Sequence, residues 1–181
     1  MSQQSNIGLS REISILQSRL RDTRGGTLTI STAESATAGG IATSLTGMPG
    51  ASDYFLGGIV SYSNQAKHSL LGVSVSVLNR FGAVSREVAE QMAEGGRQAF
   101  GAAVCVADTG IAGPGGATPL KPVGLFYIAL ASAEGCSVEQ FNFAGERESN
   151  REAAIVSALT LLRDYLVQCC VARGANTNDC L

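Results

Sequence analysis

Proton-accepting bases are scarce in this chain, which has one histidine, His68, and two lysines, Lys67 and Lys121, the other basic residues being arginine. Arginine stays protonated at physiological pH, so any chemistry that needs a side-chain base must draw on those residues or on a carboxylate. Charge of one sign is scarce too. The formal net charge of -2 leaves no basic field for a nucleic-acid backbone and no acidic tail. A small molecule is the predicted partner, not nucleic acid or membrane. The stretch Met1–Gly8 is polar, without the charged flank and apolar core of a secretory signal, and no later stretch is expected to run apolar for bilayer length. These features predict a soluble, cytoplasmic protein. The five cysteines, Cys105, Cys136, Cys169, Cys170 and Cys180, are odd in number and contain no C-x-x-C pairing, which argues against a zinc site or a redox dithiol. Reduced structural thiols are expected, with Cys105 buried and no metal bound. Two nucleotide signatures are also missing. There is no Gly-Lys-Ser/Thr of a P-loop, and no Gly-x-Gly-x-x-Gly at the first turn to go with the pair Tyr62 and Lys67.

What is present is enough for one core. With 181 residues, 45% hydrophobic and 15% charged, the chain fits a single domain, expected over 1–172 with a loose tail at 173–181. Apolar residues at Ile13, Leu16 and Leu20 recur at helical spacing and predict a helix over Ile7–Arg21. A strand is predicted at Thr27–Thr32, a helix at Thr37–Leu45 and a strand at Leu56–Tyr62, followed by a short helix that carries Lys67 and ends near Gly72. Ser85 reads as the N-cap of a helix reaching Phe100, and Ala102–Ala107 as a strand covered on both faces. Val123–Ser132 and Ser137–Phe143 form a predicted hairpin through Glu134-Gly135, and Arg147–Val171 a long closing helix. The alternation predicts an α/β fold, three layers α/β/α around a mixed, mostly parallel sheet.

Ligands of open α/β sheets gather beyond the carboxyl ends of the strands, and three segments fall there: Ala33–Gly39, Tyr62–Lys67 and Asp108–Gly116. Ser35 stands at a strand-to-helix turn, where a serine is either an N-cap or a nucleophile beside helix N–H groups. A nucleophile needs a base. His68 reads as a surface residue, which leaves Lys67 as the favoured base, against the alternative of a solvated helix lysine. Tyr62 could share a pocket with Lys67 or simply be a half-buried strand residue. Glu34 could position Lys67 or make a structural hydrogen bond. Gly110–Gly116 is either an anion cradle of backbone N–H groups or a surface loop.

The chain resembles the C-terminal domain of the CinA (competence/damage-inducible) family, known as nicotinamide-nucleotide amidase. The matching motifs are Ala33-Glu34-Ser35, Pro49–Ser52, Tyr62-Ser63-Asn64-Gln65-Ala66-Lys67, Gly82–Ser85, Thr109–Gly116 and Lys121–Gly124, in order along nearly the whole chain. The resemblance implies hydrolysis of nicotinamide mononucleotide to nicotinic acid mononucleotide and ammonia, without cofactor or metal, by a homodimer. It implies Ser35 as nucleophile, Lys67 as base and Tyr62 assisting. Substrate contacts are expected from Thr37, Asn64, Thr109, Gly110, Gly113, Gly115, Gly116 and Arg147, the last near the phosphate. The backbone N–H groups of Ser35–Thr37 are expected to hold the oxyanion. Two positions depart from the family's usual Glu-Ser-Cys-Thr-Gly-Gly: Ala36 and Ala38, where Ala38 adds a methyl at a point of close backbone approach. The alternatives are a non-catalytic nucleotide-binding module of the same fold and an amidase for another phosphorylated amide. Activities of the additional N-terminal domain found in larger family members are not carried over.

Overall fold

A computed structural model describes residues 2–23 and 25–174 of the chain. In chain order the elements are helix α1 (Ser2–Arg21), strand β1 (Ile30–Glu34), helix α2 (Gly40–Thr46), strand β2 (Phe55–Val60), helices α3 (Asn64–Leu71), α4 (Val75–Phe81) and α5 (Arg86–Phe100), strands β3 (Val104–Gly110), β4 (Leu125–Ser132) and β5 (Gly135–Asn142), and helix α6 (Arg147–Ala172). A short 3-10 turn covers Ala51–Asp53. Cys180 and most of the expected tail, 175–181, lie outside the described residues.

The five strands form one mixed sheet in the order β2-β1-β3-β4-β5. β2, β1 and β3 are mutually parallel, β4 runs against β3, and β5 against β4, so only β4 is reversed. Strand alternation sorts the core onto two faces. Val104, Val106, Phe126, Ile128 and Leu130 join α1, α2 and α6 on one side, with Leu159, Leu162 and Leu166 fully buried. Ala33, Cys105, Ala107, Ala129 and Ala131 meet Val88 and Met92 of α5 on the other. That second face is built from small residues, and α5 lies close on it. A Cβ at Gly96 would fall 2.6 Å from Cys105 Sγ and 3.0 Å from Ala33 Cβ. The three-layer α/β/α expectation is met, and Cys105 is buried as expected.

Several boundaries differ for physical reasons. β1 begins three residues later than Thr27 because the Gln17 side chain takes both the N–H and the C=O of Leu28. It then runs on through Glu34, which puts Ser35 directly at its end. α2 begins at Gly40, not Thr37, because Ala38 and Gly39 are left-handed, at φ 51° and 93°. Ser85 caps α5 as predicted, accepting from Val88 N–H. The hairpin turns on Ala133-Glu134, with Ser132 paired to Gly135. Helix α4 had no clear sequence signal. One expectation is corrected: α6 contains a window of mean hydropathy 1.5 and is long and apolar enough, by length and composition, to cross a membrane. It lays Ala154, Ala158, Leu159, Leu162 and Leu166 against the core described above.

The topology positions the site. Because β2, β1 and β3 run in parallel, their carboxyl ends meet at one edge of the sheet. Register pairs Glu34 with Val60 and Ala33 with Ala107, which brings Ser35, Ser61 and Asp108 together.

Candidate functional site

Glu34, the last residue of β1, is almost fully buried and turns its carboxylate onto the start of α2. It accepts the N–H groups of Gly39 at 2.8 Å, Ile41 at 3.1 Å and Ala42 at 2.8 Å, and the Thr37 hydroxyl at 2.7 Å. Gly39 offers no side-chain cap, so Glu34 satisfies the orphan donors of that helix and complements its dipole. Of its two open roles, Glu34 takes the structural one.

Ser35 follows at once, 7% exposed, with its Oγ 2.6 Å from Lys67 Nζ. Lys67 comes from α3, whose N-cap Ser63 accepts from Ala66 N–H at 3.1 Å. The lysine is 1% exposed, and its Nζ also donates to the Ser61 carbonyl at 2.7 Å. Burial pushes its pKa down to about 8, against the Asp108 charge, which acts in the opposite direction. Among the described residues no carboxylate forms an ion pair with the ammonium. Nζ donates to both the Ser61 carbonyl and Ser35 Oγ. A carbonyl can only accept, but a hydroxyl can also donate, so the neutral amine can turn its lone pair to the Ser35 hydroxyl without losing the bond to Ser61. His68 lies one residue on, its Nδ1 2.9 Å from the Val73 carbonyl, and does not line the cavity.

A cavity of about 310 Å³ opens in front of Ser35, at the small end of small-molecule clefts. Among the residues expected at the site, Ser35, Tyr62, Lys67, Thr109, Gly110, Gly113, Gly115, Gly116 and Arg147 line it, as do Ala36, Ala83, Val84, Ile111 and Ala112. Thr109 donates its hydroxyl to the Ala83 carbonyl at 2.8 Å, and the second lysine, Lys121, donates to the Phe81 and Val84 carbonyls. Both hold the Ala83-Val84 wall. Asn150, fully buried in α6, donates to the Ala112 carbonyl at 3.0 Å and steadies the opposite one. Arg147 donates to the Gly113 carbonyl at 2.7 Å and to the Tyr62 hydroxyl at 3.2 Å.

Three expectations are corrected on contacts. Thr37 is fully buried away from the cavity, its hydroxyl between Glu34 and Asp108, so it holds the fold of the turn rather than a ligand. Asn64 is exposed at the first turn of α3 and is not part of the cavity wall. Tyr62 is 63% exposed at the mouth, and its hydroxyl is bonded to Arg147, not to Lys67. Burial therefore lowers the Lys67 pKa without help from Tyr62.

Asp108 carries the largest correction. It is fully buried at the end of β3 and accepts the N–H groups of Ser35 at 3.1 Å, Ala36 at 3.0 Å and Thr37 at 3.3 Å. The amides expected to hold the oxyanion are thus engaged by a carboxylate that does not line the cavity. Burial pushes the Asp108 carboxyl up to about 6, helped by the neighbouring Glu34 and opposed by hydrogen bonds from Thr37 and Ser35. The only sequence trace of this role is one carboxylate closing an otherwise apolar run, Val104-Cys105-Val106-Ala107. Arg151, likewise without a sequence signal, donates to the Ala36 carbonyl at 3.0 Å and the Thr37 carbonyl at 2.8 Å. Ala38 is exposed and left-handed, so a glycine is favoured there by backbone geometry and not by approach to a ligand.

Fold and site together define an α/β protein with a buried serine–lysine pair at the carboxyl ends of its parallel strands. The sequence matches the CinA C-terminal domain over residues 14–166. It is 49% identical over 140 residues to a CinA-like protein of Citrifermentans bemidjiense, covering 77% of this chain and 34% of that protein. It is 50% identical over 141 residues to a CinA-like protein of Desulfotalea psychrophila, covering 78% and 34%. The chain thus spans about a third of the length of these relatives. Among solved structures, the competence/damage inducible protein CihA from Agrobacterium tumefaciens superposes with a TM-score of 0.80 at 39% identity, over 87% of this chain and 93% of that one. A CinA superfamily protein from Enterobacter cloacae does so with a TM-score of 0.81 at 31% identity, over 89% and 92%. The chain belongs to the CinA C-terminal domain family.

Proposed function

We propose that this chain hydrolyses the carboxamide of nicotinamide mononucleotide to nicotinic acid mononucleotide and ammonia, with Ser35 as nucleophile and Lys67 as general base. The observation that carries the proposal is the 2.6 Å contact between Lys67 Nζ and Ser35 Oγ, made by a lysine that is 1% exposed. Desolvation without a paired carboxylate favours the neutral amine, and only that form can take a proton. As Ser35 Oγ bonds to the carboxamide carbon, its proton passes to Lys67 Nζ. The C–N bond then breaks, Lys67 returns the proton to the leaving nitrogen, and ammonia departs. Water attacks the resulting ester, giving its proton to Lys67, and the ester C–O bond breaks as Ser35 recovers a proton.

With the Ser35–Thr37 amides engaged, oxyanion stabilisation falls to the facing wall. Among the described residues, the N–H groups of Ala112, Gly113, Gly115 and Gly116 make no backbone hydrogen bond, and they lie in the same wall as Arg147. The phosphate is assigned to that wall as well, with Arg147 as its cation. Cytoplasmic location and a homodimeric state complete the proposal.

Ammonia release from nicotinamide mononucleotide tests it, run with Ser35→Ala and Lys67→Ala beside the parent. Both variants are expected to lose at least about 100-fold in rate. Equal rates in all three chains would exclude the mechanism. Tight nucleotide binding without ammonia would mark a binding module, and turnover of other phosphorylated amides alone would move the substrate.

A further inference from the structure

The residues that carry the nucleophile have little regular structure to hold them. β1 ends at Glu34 and α2 begins at Gly40, and the segment between passes through left-handed Ala38 and Gly39. A 2.6 Å contact between Ser35 and Lys67 nevertheless tolerates little drift, since a misplacement of about 1 Å in a reacting group can cost on the order of 100-fold in rate.

Two charged side chains from distant elements grip this turn from opposite poles. Asp108 of β3 accepts the N–H groups of Ser35, Ala36 and Thr37, while Arg151 of α6 donates to the carbonyls of Ala36 and Thr37. The anion meets only donors and the cation only acceptors, so these are charge-assisted bonds, stronger than neutral ones. Neither residue lines the cavity, so neither is available to a substrate.

We propose that Asp108 and Arg151 are positioning residues for Ser35, clamping the 35–37 peptide units so that the hydroxyl stays on Lys67 and the turn's amides face away from the cavity. The proposal rests on Ser35 being a nucleophile activated by Lys67. Asp108 has a second influence on the same pair. Its charge holds Lys67 more basic than burial alone would leave it. Among the described residues, the other charged or titratable groups around the pair are Glu34 on β1, Tyr62 after β2, and Arg147 and Arg151 on α6. Replacing Asp108 by asparagine keeps the shape, removes the charge and puts a donor where acceptors are needed. Replacing Arg151 by lysine keeps the charge but loses the fork that spans two carbonyls.

The test is the rate at which phenylmethanesulfonyl fluoride modifies Ser35 in the full chain, followed by mass spectrometry across pH 6 to 10 with melting temperatures measured alongside. In that step Ser35 Oγ bonds to sulfur, the S–F bond breaks, fluoride leaves and the serine proton passes to Lys67. Asp108→Asn and Arg151→Ala are expected to react at least about tenfold more slowly than the parent, with Arg151→Lys recovering part of the loss. The midpoint of the pH profile in Asp108→Asn is expected to move to lower pH. A purely structural role would lower the melting temperature without moving that midpoint, and this result overturns the proposal. Parent-like rates in either variant do the same. If Asp108→Asn does not fold, Arg151→Ala against Arg151→Lys decides alone. A parent chain left unmodified at Ser35 would sink the serine–lysine mechanism and the clamp together, whereas fast variants overturn only the clamp.

Discussion

The carbonyl of Ser61 accepts a hydrogen bond from Lys67 Nζ at 2.7 Å, and this contact holds the amine 2.6 Å from Ser35 Oγ. A lysine held in this way, with a pKa pushed down to about 8, is neutral in about a tenth of molecules at pH 7, where an ordinary lysine is neutral in fewer than about one in a thousand.

Activity should therefore rise with pH through a midpoint near 8, because Lys67 must be neutral to accept the Ser35 proton. Lys67→Arg keeps a cation in place but cannot act as a base, and should lose on the order of 100-fold or more. A pH profile of ammonia release, with that variant beside the parent, checks both statements.

The same burial costs stability. Lys67 has an ordinary pKa of 10.5 and is lowered to about 8 in the folded chain, so folding releases its proton between those values. Its penalty is full below about pH 8 and fades as pH rises towards 10.5. Lys67→Met should abolish activity yet stabilise the fold at pH 7, by up to about 3 kcal/mol. That gain should shrink in alkaline buffer. Urea unfolding of both chains at pH 7 and pH 10 reads the difference.

Ala38 adopts φ 51°, where a side chain costs about 1–2 kcal/mol. Glycine relieves that strain and returns about 0.5–1 kcal/mol of it as extra freedom in the unfolded chain. Strain relief is the larger effect, so Ala38→Gly should raise stability by about 0.5–1 kcal/mol. Thermal unfolding of Ala38→Gly is the check, and a lower melting temperature would count against a strained turn.

Gly110 closes β3 under the cavity, and a Cβ there would fall 2.2 Å from the Phe126 ring, itself fully buried. Gly110→Ala must displace that ring or the strand end, at about 1–3 kcal/mol. It should lower both the melting temperature and the affinity for nucleotide, because Thr109, Gly110 and Ile111 share the wall. Calorimetry of unfolding and of nucleotide binding would show the two losses together.

Local periodicity determined much of this molecule. The apolar positions Ile13, Leu16 and Leu20 marked α1, Ser85 marked the start of α5, and the run ending at Ala107 marked a strand buried on both faces. These signals depend on neighbours a few residues apart, so they survive without knowledge of the fold. With one histidine and two lysines, elimination left Lys67 as the favoured base, and the resemblance to the CinA C-terminal domain paired it with Ser35 as nucleophile. The start of β1 was less legible, because a side chain 11 residues away, Gln17, takes the backbone groups of Leu28.

Two of the assignments that failed, those of Tyr62 and of the Ser35–Thr37 amides, were ones in which distant parts of the chain compete for one atom. Tyr62 lies near Lys67 in sequence, yet its hydroxyl goes to Arg147, 85 residues on. The Ser35–Thr37 amides look free at a strand-to-helix turn, yet Asp108, 71 to 73 residues away, takes all three. Sequence by itself determined the order of the elements and supplied the serine and the lysine. Only the tertiary structure decided which groups meet, because contacts at these separations are set by sheet register and by how α6 crosses the strand ends, and no local pattern encodes either.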